Sequence, residues 1–205
     1  MSRWYLVRHG RTAWNAEGRV QGHTDTPLGE GGLAQAQRTA RRLATVKFAA
    51  VYSSDLARAL TTAQTIVAGH DLPIRTTPLL REANHGAWDG LTYDEVKARD
   101  PQRWQSILKR DEDVAAPGGE NMAGVLERVK SARDMIVAGH TLDHDVLIVA
   151  HSGSIRALFV ALLELPVTAA GRIRVDPASV SIVAVHERGA TLDLWNDTSH
   201  LEPEQ

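Results

Sequence analysis

The sequence predicts an α/β fold with a mostly parallel central sheet, and three observations support this prediction. Short apolar runs rich in Val, Ile, Leu or Tyr are typical of strands buried on both faces. The stretches between these runs carry apolar residues at the three- and four-residue spacing of one helical face. The two patterns alternate along the chain, which favours helices packed against a parallel sheet.

Five strands are predicted, in two groups. The first three are short apolar runs at residues 4–7, 49–52 and 145–150. Two later strands, at residues 180–186 and 191–195, are separated by Glu187-Arg188-Gly189-Ala190, a connection typical of a hairpin. We therefore expect three parallel strands followed by a hairpin.

Four helices are predicted from the apolar spacing. The first three faces are Leu33, Ala36, Ala40 and Leu43; then Leu56, Ala59, Leu60, Ala63 and Val67; then Met122, Val125, Leu126, Val129 and Ile136. A fourth helix is expected over residues 154–163, stopped near Pro166. Ser53-Ser54-Asp55 is predicted to cap the second helix, and Gly139 to end the third.

Residues 76–121 are less regular and contain Gly, Pro, Trp and acidic residues. We interpret this stretch as an insertion that shapes a pocket. No linker or repeat interrupts the chain, so one domain over residues 1–205 is expected.

Composition excludes several classes of protein. A hydrophobic content of 43% excludes a disordered chain, and a net charge of −2 gives no reason to expect nucleic acid or an acidic membrane as a partner. No apolar run approaches the roughly 20 residues that span a bilayer. The first ten residues do not resemble a signal peptide, and the absence of cysteine excludes disulfides and thiolate metal sites. A cytoplasmic protein is the resulting expectation.

Polar residues follow three of the predicted strands. Arg8 and His9 follow the first, Arg58 lies in the first turns of the helix after the second, and His151 and then Ser152 follow the third. Ligands of open parallel sheets bind outside the carboxyl ends of the strands. Arginine forks and helix N-termini there match phosphate oxygens, so the sequence predicts an anion site.

Gly10 is expected to let the backbone approach this anion closely. The role of His9 stays open on these grounds, because a histidine could donate a hydrogen bond or attack phosphorus. Nearby arginine charges would favour the neutral, nucleophilic ring.

Four stretches, from residue 5 to about 158, resemble the signature regions of the histidine phosphatase (phosphoglycerate-mutase-like) superfamily, in the family's order: LVRHGRTAWN, VYSSDLARALTTAQTI, LLREANHGAWDGLTYDEV and VLIVAHSGSIRAL. The third stretch is more similar to the phosphatase branch, such as α-ribazole phosphatase-type enzymes, than to the mutases. The resemblance implies a three-layer α/β/α sandwich that needs no metal or cofactor.

The resemblance also assigns roles. His9 would be the nucleophile that becomes a phosphohistidine, and Glu82 the general acid and base. The residues implied to bind the phosphoryl group or the substrate are Arg8, Arg58, His151, Asn15 and Ser152. The expected function is hydrolysis of a small phosphorylated metabolite.

Several alternatives remain open. A cofactor-dependent phosphoglycerate mutase would use the same residues, and a non-catalytic phosphate-binding module would need only the arginines. Arg11 stands where the family usually has an acidic residue or glutamine, which leaves specificity undecided. A homodimer is a further open alternative. His140 and His144 have a spacing that could suit zinc, but no third ligand lies nearby in the sequence, so solvated loop histidines are expected.

Overall fold

The computed structural model describes residues 1–109, 113–140 and 144–201. The strands are β1 (Ser2–Arg8), β2 (Phe48–Ser54), β3 (Ile74–Thr77), β4 (Asp145–Ala150), β5 (Val180–His186) and β6 (Gly189–Asp197). The helices are α1 (Ala13–Ala16), α2 (Glu30–Leu43), α3 (Ala57–Ile66), α4 (Tyr93–Arg99), α5 (Pro101–Leu108), α6 (Met122–Gly139) and α7 (Ser152–Leu162). In this part of the chain, no helix combines the length and apolar character needed to cross a membrane.

The six strands form one sheet in the order β3-β2-β4-β1-β5-β6. The pairs β2/β3, β2/β4 and β1/β4 are parallel, whereas β1/β5 and the β5/β6 hairpin are antiparallel. The register places Arg8 of β1 opposite Ala150 of β4. The carboxyl ends of these two central strands therefore lie side by side.

Helices cover both faces of the sheet because the buried strands alternate their apolar side chains. Trp4 and Leu6 of β1 pack with α6 and α7 on one face. Tyr5 and Val7 pack with α2 and α3 on the other. The predicted three-layer α/β/α sandwich with a mostly parallel sheet is confirmed.

Two local predictions were wrong. The sequence did not reveal β3, a four-residue strand that pairs only with β2 and has two exposed residues, Arg75 and Thr76, so it lacks the apolar run of a central strand. The predicted cap of α3 also fails. Ser53 and Ser54 end β2, and the helix starts two residues after Asp55, with Leu56 at the N-cap and no side-chain cap.

The stretch between β3 and α6 contains α4, α5 and two short 3₁₀ turns, while residues 110–112 of the expected insertion lie outside the described residues. Together with Val20 from the loop after α1, it builds a small apolar cluster around Trp88 and Val96, with Trp104 packed against it. The cluster is separate from the two layers that cover the sheet. Its position brings Trp88 and Trp104 to the wall of a cavity at the strand ends.

Candidate active site

Two histidines meet at the carboxyl ends of β1 and β4. His9 follows Arg8 directly, and its backbone N–H donates to the carbonyl of Ala150 at 3.0 Å. His151 follows Ala150 and precedes α7. The ring centroids of His9 and His151 lie 5.0 Å apart, so the register of two neighbouring strands is what brings these residues together.

The surroundings of His9 determine which ring nitrogen carries hydrogen and keep the ring neutral. Its Nδ1 lies 2.8 Å from the carbonyl oxygen of Gly10, which can only accept, so Nδ1 carries the hydrogen and Nε2 keeps its lone pair. Burial, followed by the charges of Arg8 and Arg58, lowers the pKa of His9 well below the usual 6.5. The ring is therefore neutral at physiological pH.

His151 has the opposite arrangement. Arg58 Nε donates to His151 Nδ1 at 3.2 Å, so the His151 proton lies on Nε2. This Nε2 is buried and has no hydrogen-bond partner among the described residues. Burial, then the charge of Arg58, lowers the pKa of His151 well below 6.5. His151 is thus a neutral ring whose Nε2–H has no acceptor among the described residues.

Arg58 is fully buried, and a short loop holds it. Its terminal nitrogens donate to the carbonyls of Gly22, at 2.7 Å, and Thr24, at 3.0 Å. The carboxylate of Asp89 fixes this loop by accepting from the backbone N–H groups of Gly22 and Thr24. Burial alone would raise the pKa of Asp89, but these hydrogen bonds and that of the Thr24 hydroxyl lower it overall. Asp89 therefore supports Arg58 as a carboxylate.

Glu82 is positioned by the N-terminus of α7. Its Oε1 accepts from the N–H groups of Ala83, at 2.8 Å, and Gly153, at 2.9 Å, and its Oε2 lies 3.1 Å from the Gly153 nitrogen. The adjacent Arg81 binds Asp55, with 2.8 Å between Arg81 Nε and Asp55 Oδ1. Glu82 is nearly buried, with 9% exposed, and its side chain points into the site.

Arg8 completes the cationic wall. One terminal nitrogen donates to the carbonyl of Val175 at 2.7 Å, whereas its Nε is buried without a partner in the described part of the chain. Burial lowers the pKa of Arg8 from its usual value, yet an arginine stays protonated at neutral pH. Arg8 and His151 therefore offer buried donors that an anion would satisfy.

A cavity of about 430 Å³ opens at this point. Its lining includes the expected residues Arg8, His9, Asn15, Glu82 and Ser152. The amide of Asn15 already forms two hydrogen bonds within the protein. Its Oδ1 accepts from Thr12 N–H, and its Nδ2 donates to Gln21 Oε1 at 3.3 Å. Arg58 and His151 lie behind the lining, where they adjoin the histidine pair.

The structure gives a further reason for a glycine at position 10. A Cβ on Gly10 would lie 2.3 Å from the carbonyl oxygen of Gly32 in α2, so the glycine permits close packing of backbone on backbone. The Gly10 N–H donates to Thr62 Oγ1 at 3.1 Å. This residue therefore seats the loop after β1 on α2 and α3.

The sequence prediction missed Arg156, which also lines the cavity. It lies one helical turn after Ser152 in α7, on the same face. The available signal was a single arginine in a helix that otherwise buries nearly all its residues.

Within the described residues, no group of three or more His, Cys, Asp or Glu side chains is placed to hold a metal. His140, expected to be solvated, instead lies with its Nε2 2.7 Å from Tyr52 Oη.

Comparison with known proteins agrees with this geometry. Residues 4–198 match the family model described as histidine phosphatase superfamily (branch 1). The chain belongs to this superfamily. The resemblance seen in the four sequence motifs is thereby confirmed.

Two Arabidopsis thaliana relatives illustrate the similarity within the histidine phosphatase superfamily. A metal-independent phosphoserine phosphatase is 35% identical over 199 residues, which cover 96% of this chain and 82% of the relative. Phosphoglycerate mutase-like protein 4 is 37% identical over 202 residues, which cover 96% of this chain and 86% of the relative.

Solved structures of histidine phosphatases superimpose closely. A mycobacterial glucosyl-3-phosphoglycerate phosphatase in complex with VO3 gives a TM-score of 0.88 at 34% identity, covering 96% of this chain and 99% of the other. The α-ribazole phosphatase from Shigella flexneri gives a TM-score of 0.84 at 30% identity, covering 95% and 96%. The expected likeness to α-ribazole phosphatase-type enzymes is confirmed.

Proposed function

We propose that this protein is a phosphomonoesterase that hydrolyses a small phosphorylated metabolite through a phosphohistidine. The observation that carries the proposal is the neutral His9, whose Nδ1 donates to Gly10 and whose Nε2 keeps its lone pair beside Arg8 and Arg58. A neutral imidazole among fixed cations is suited to attack a bound phosphoryl group.

The first step transfers the phosphoryl group to the protein. The lone pair on His9 Nε2 attacks phosphorus as the bond to the leaving oxygen breaks, and Glu82, protonated, gives its proton to that oxygen. Arg8, Arg58 and the Nε2–H of His151 stabilise charge on the other phosphoryl oxygens.

The second step returns the enzyme to its starting state. Glu82, now a carboxylate, accepts a proton from water as the water oxygen attacks the phosphohistidine. The bond between nitrogen and phosphorus breaks, which releases inorganic phosphate and restores neutral His9. Asn15 and Ser152 help to hold the substrate at the mouth of the site.

Relatives support a small organic phosphate as the substrate. Their names include a phosphoserine phosphatase and a glucosyl-3-phosphoglycerate phosphatase. One is named metal-independent, which agrees with a site whose phosphate-facing charges are arginines. We also propose that residues 1–205 form one domain whose insertion at about 76–121 shapes the pocket, and that the protein is cytoplasmic.

The experiment that tests the function is trapping of the covalent intermediate. Brief incubation with labelled substrate in EDTA, followed by a quench without acid, is expected to label the protein with a bond that is acid-labile and base-stable. His9→Ala should lose both label and turnover. Substantial turnover by His9→Ala would show that another residue is the nucleophile, and activity lost in EDTA but restored by a divalent ion would contradict the metal-free mechanism.

The same experiment separates the alternatives. A phosphatase passes the label to water and gives inorganic phosphate, whereas a mutase returns it to a sugar acid. A non-catalytic binding module would take up no label at all.

A further inference from the structure

Arg156 lines the cavity at the strand ends and forms no salt bridge with a described residue, although the charge of Glu82 acts on it from a greater distance. Its Nε is buried without a hydrogen-bond partner among these residues. The other described arginines at this cavity have hydrogen-bond partners within the protein: Arg8 with Val175, Arg19 with Glu17 and Gly90, and Arg58 with Gly22 and Thr24. A charge left unpaired in a cavity wall is costly unless a ligand completes it.

The two described carboxylates that line the cavities around Arg156 already accept hydrogen bonds from other groups. Glu82 accepts from the N–H groups of Ala83 and Gly153. Glu120 accepts from Arg128 Nη2 at 3.0 Å and from Asn84 N–H at 2.8 Å. Among the described residues, neither carboxylate that lines these cavities forms an ion pair with Arg156, which leaves its guanidinium able to bind an anionic ligand.

The position of Arg156 is suited to the leaving group and not to the phosphoryl group. It lines both the cavity that contains His9 and an adjoining cavity of about 450 Å³, which His9 does not line. Ser152, at the start of α7, lies about 6 Å, or one helical turn, from Arg156 along the helix axis. Glu82 lines the same cavity and accepts from the N–H of Gly153, in the same helix as Arg156.

The surroundings limit the charge of that group. Besides Arg156, the two cavities share Ala83, His85, Trp88, Ile107 and Met122, a mostly apolar set. A phosphoryl dianion would need several donors, as in the His9 site, whereas one guanidinium fork matches one carboxylate. Burial lowers the pKa of Arg156 from its usual value, and the neighbouring charge of Glu82 opposes that shift.

We propose that Arg156 is a specificity residue that binds a carboxylate on the leaving group, so that the preferred substrates are phosphomonoesters of small hydroxy acids. This inference rests on the proposed phosphatase function and refines it. Arg156 takes no part in proton or phosphoryl transfer. Its contribution is to binding and orienting the substrate's organic part.

The test compares two compounds that differ only at the proposed contact. 3-Phosphoglycerate carries a carboxylate where glycerol 3-phosphate carries a hydroxymethyl group. Each is measured as a competitive inhibitor of p-nitrophenyl phosphate hydrolysis, which works whether or not it is turned over. We expect the wild type to bind 3-phosphoglycerate at least tenfold more tightly, and Arg156→Met to reduce this ratio by roughly 10- to 100-fold, the scale of one charge-assisted hydrogen bond.

Arg41→Met is the matched control, because Arg41 is an exposed arginine in the last turn of α2 and lines neither cavity. It removes the same charge and should leave the ratio unchanged. Arg156→Lys should restore only part of the preference, since an ammonium lacks the planar fork.

Two results would overturn the assignment: a wild type that does not discriminate between the compounds, or an Arg156→Met variant that weakens both equally. Failure of the proposed function has a different signature. In that case the wild type would neither hydrolyse p-nitrophenyl phosphate nor form a phosphohistidine, whatever its ligand preference.

Discussion

His9 and His151 present opposite chemistry from the same ring atom. The carbonyl of Gly10 holds a proton on Nδ1 of His9, and Arg58 donates to Nδ1 of His151. His9 Nε2 is consequently a lone pair and His151 Nε2 is an N–H. Burial lowers the pKa of both rings, so both are neutral at neutral pH. His9 Nε2 therefore keeps its lone pair, and His151 Nε2 keeps its single hydrogen.

Glu82→Gln tests proton transfer at the residue scale. The amide oxygen can still accept from Gly153 and Ala83, so the local structure should persist. An alkoxide leaves poorly without a proton, so single-turnover phosphorylation by a sugar or serine phosphate should slow by roughly 10²–10⁴-fold. Nitrophenolate needs no proton, so p-nitrophenyl phosphate should lose far less in that step.

Because both substrates are measured with the same Glu82→Gln variant, a general loss of folded protein would slow both equally, and the comparison serves as the internal control. An equal, small loss on both would assign proton transfer to another residue. Asp89 is then a poor substitute, because its hydrogen bonds lower its pKa and keep it ionised. His85, which lines the cavity, would be the next candidate.

The predictability of each site residue depends on what positions it. Arg8, His9 and His151 follow apolar strands directly, so the parallel-sheet pattern alone places them together. Glu82 lies in an irregular stretch after a 3₁₀ turn, where periodicity carries no information, and only the family resemblance indicated it. Arg156 was missed because what distinguishes it is a buried Nε without a hydrogen-bond partner among the described residues, and a sequence does not show which contacts a side chain lacks.

At the scale of elements, the N-terminus of α7 and the segment after β3 are fitted to each other. Gly153 donates to Glu82, and a Cβ on Gly153 would lie 2.2 Å from Glu82 Oε1. The N-terminal N–H groups of a helix also favour a negative charge. A glycine at the second position of this helix thus sets the place of the carboxylate.

Gly153→Ala should therefore displace Glu82 while leaving the helix intact. We expect kcat on a sugar or serine phosphate to fall at least roughly tenfold, because a shift of about 1 Å in a reacting group can cost up to 10²-fold. Gly31→Ala in α2, where an added Cβ meets nothing within 4 Å, is the matched control and should retain full activity. Circular dichroism of both variants checks that they fold, and wild-type kinetics for Gly153→Ala would contradict this account of Glu82.

Elements were predictable where burial was uniform. The strands β1, β2 and β4 bury both faces and stand out as apolar runs, but β3 has only one neighbour and its composition resembles a loop. The start of α3 was misplaced because serine is a common N-cap residue, whereas Ser53 and Ser54 here belong to strand β2. Ser54 Oγ accepts from Leu56 N–H at 3.3 Å without capping the helix.

At the scale of the whole molecule, the fold neutralises two histidines by burying them. His9 and His151 are 2% and 0% exposed, and the pKa of each lies well below the usual 6.5. In the unfolded chain both would protonate near that value. Below about pH 6.5 the unfolded state therefore binds more protons than the folded state, and acid favours unfolding.

The free energy of unfolding should consequently decrease from pH 7 to pH 5, by up to about 1.4 kcal/mol per pH unit for each histidine that stays neutral. Carboxyls with a lowered pKa, such as Asp55 beside Arg81, have an ordinary value of 3.8, so their contribution is lost only at more acidic pH. Urea titrations at pH 7, 6 and 5 measure the slope. His9→Asn should make it shallower, whereas Ser152→Ala, which changes the same cavity without removing a titrating group, should leave it unchanged. A slope identical in the wild type and His9→Asn would mean that His9 takes up its proton in the folded state, and a neutral nucleophile could then no longer be assumed.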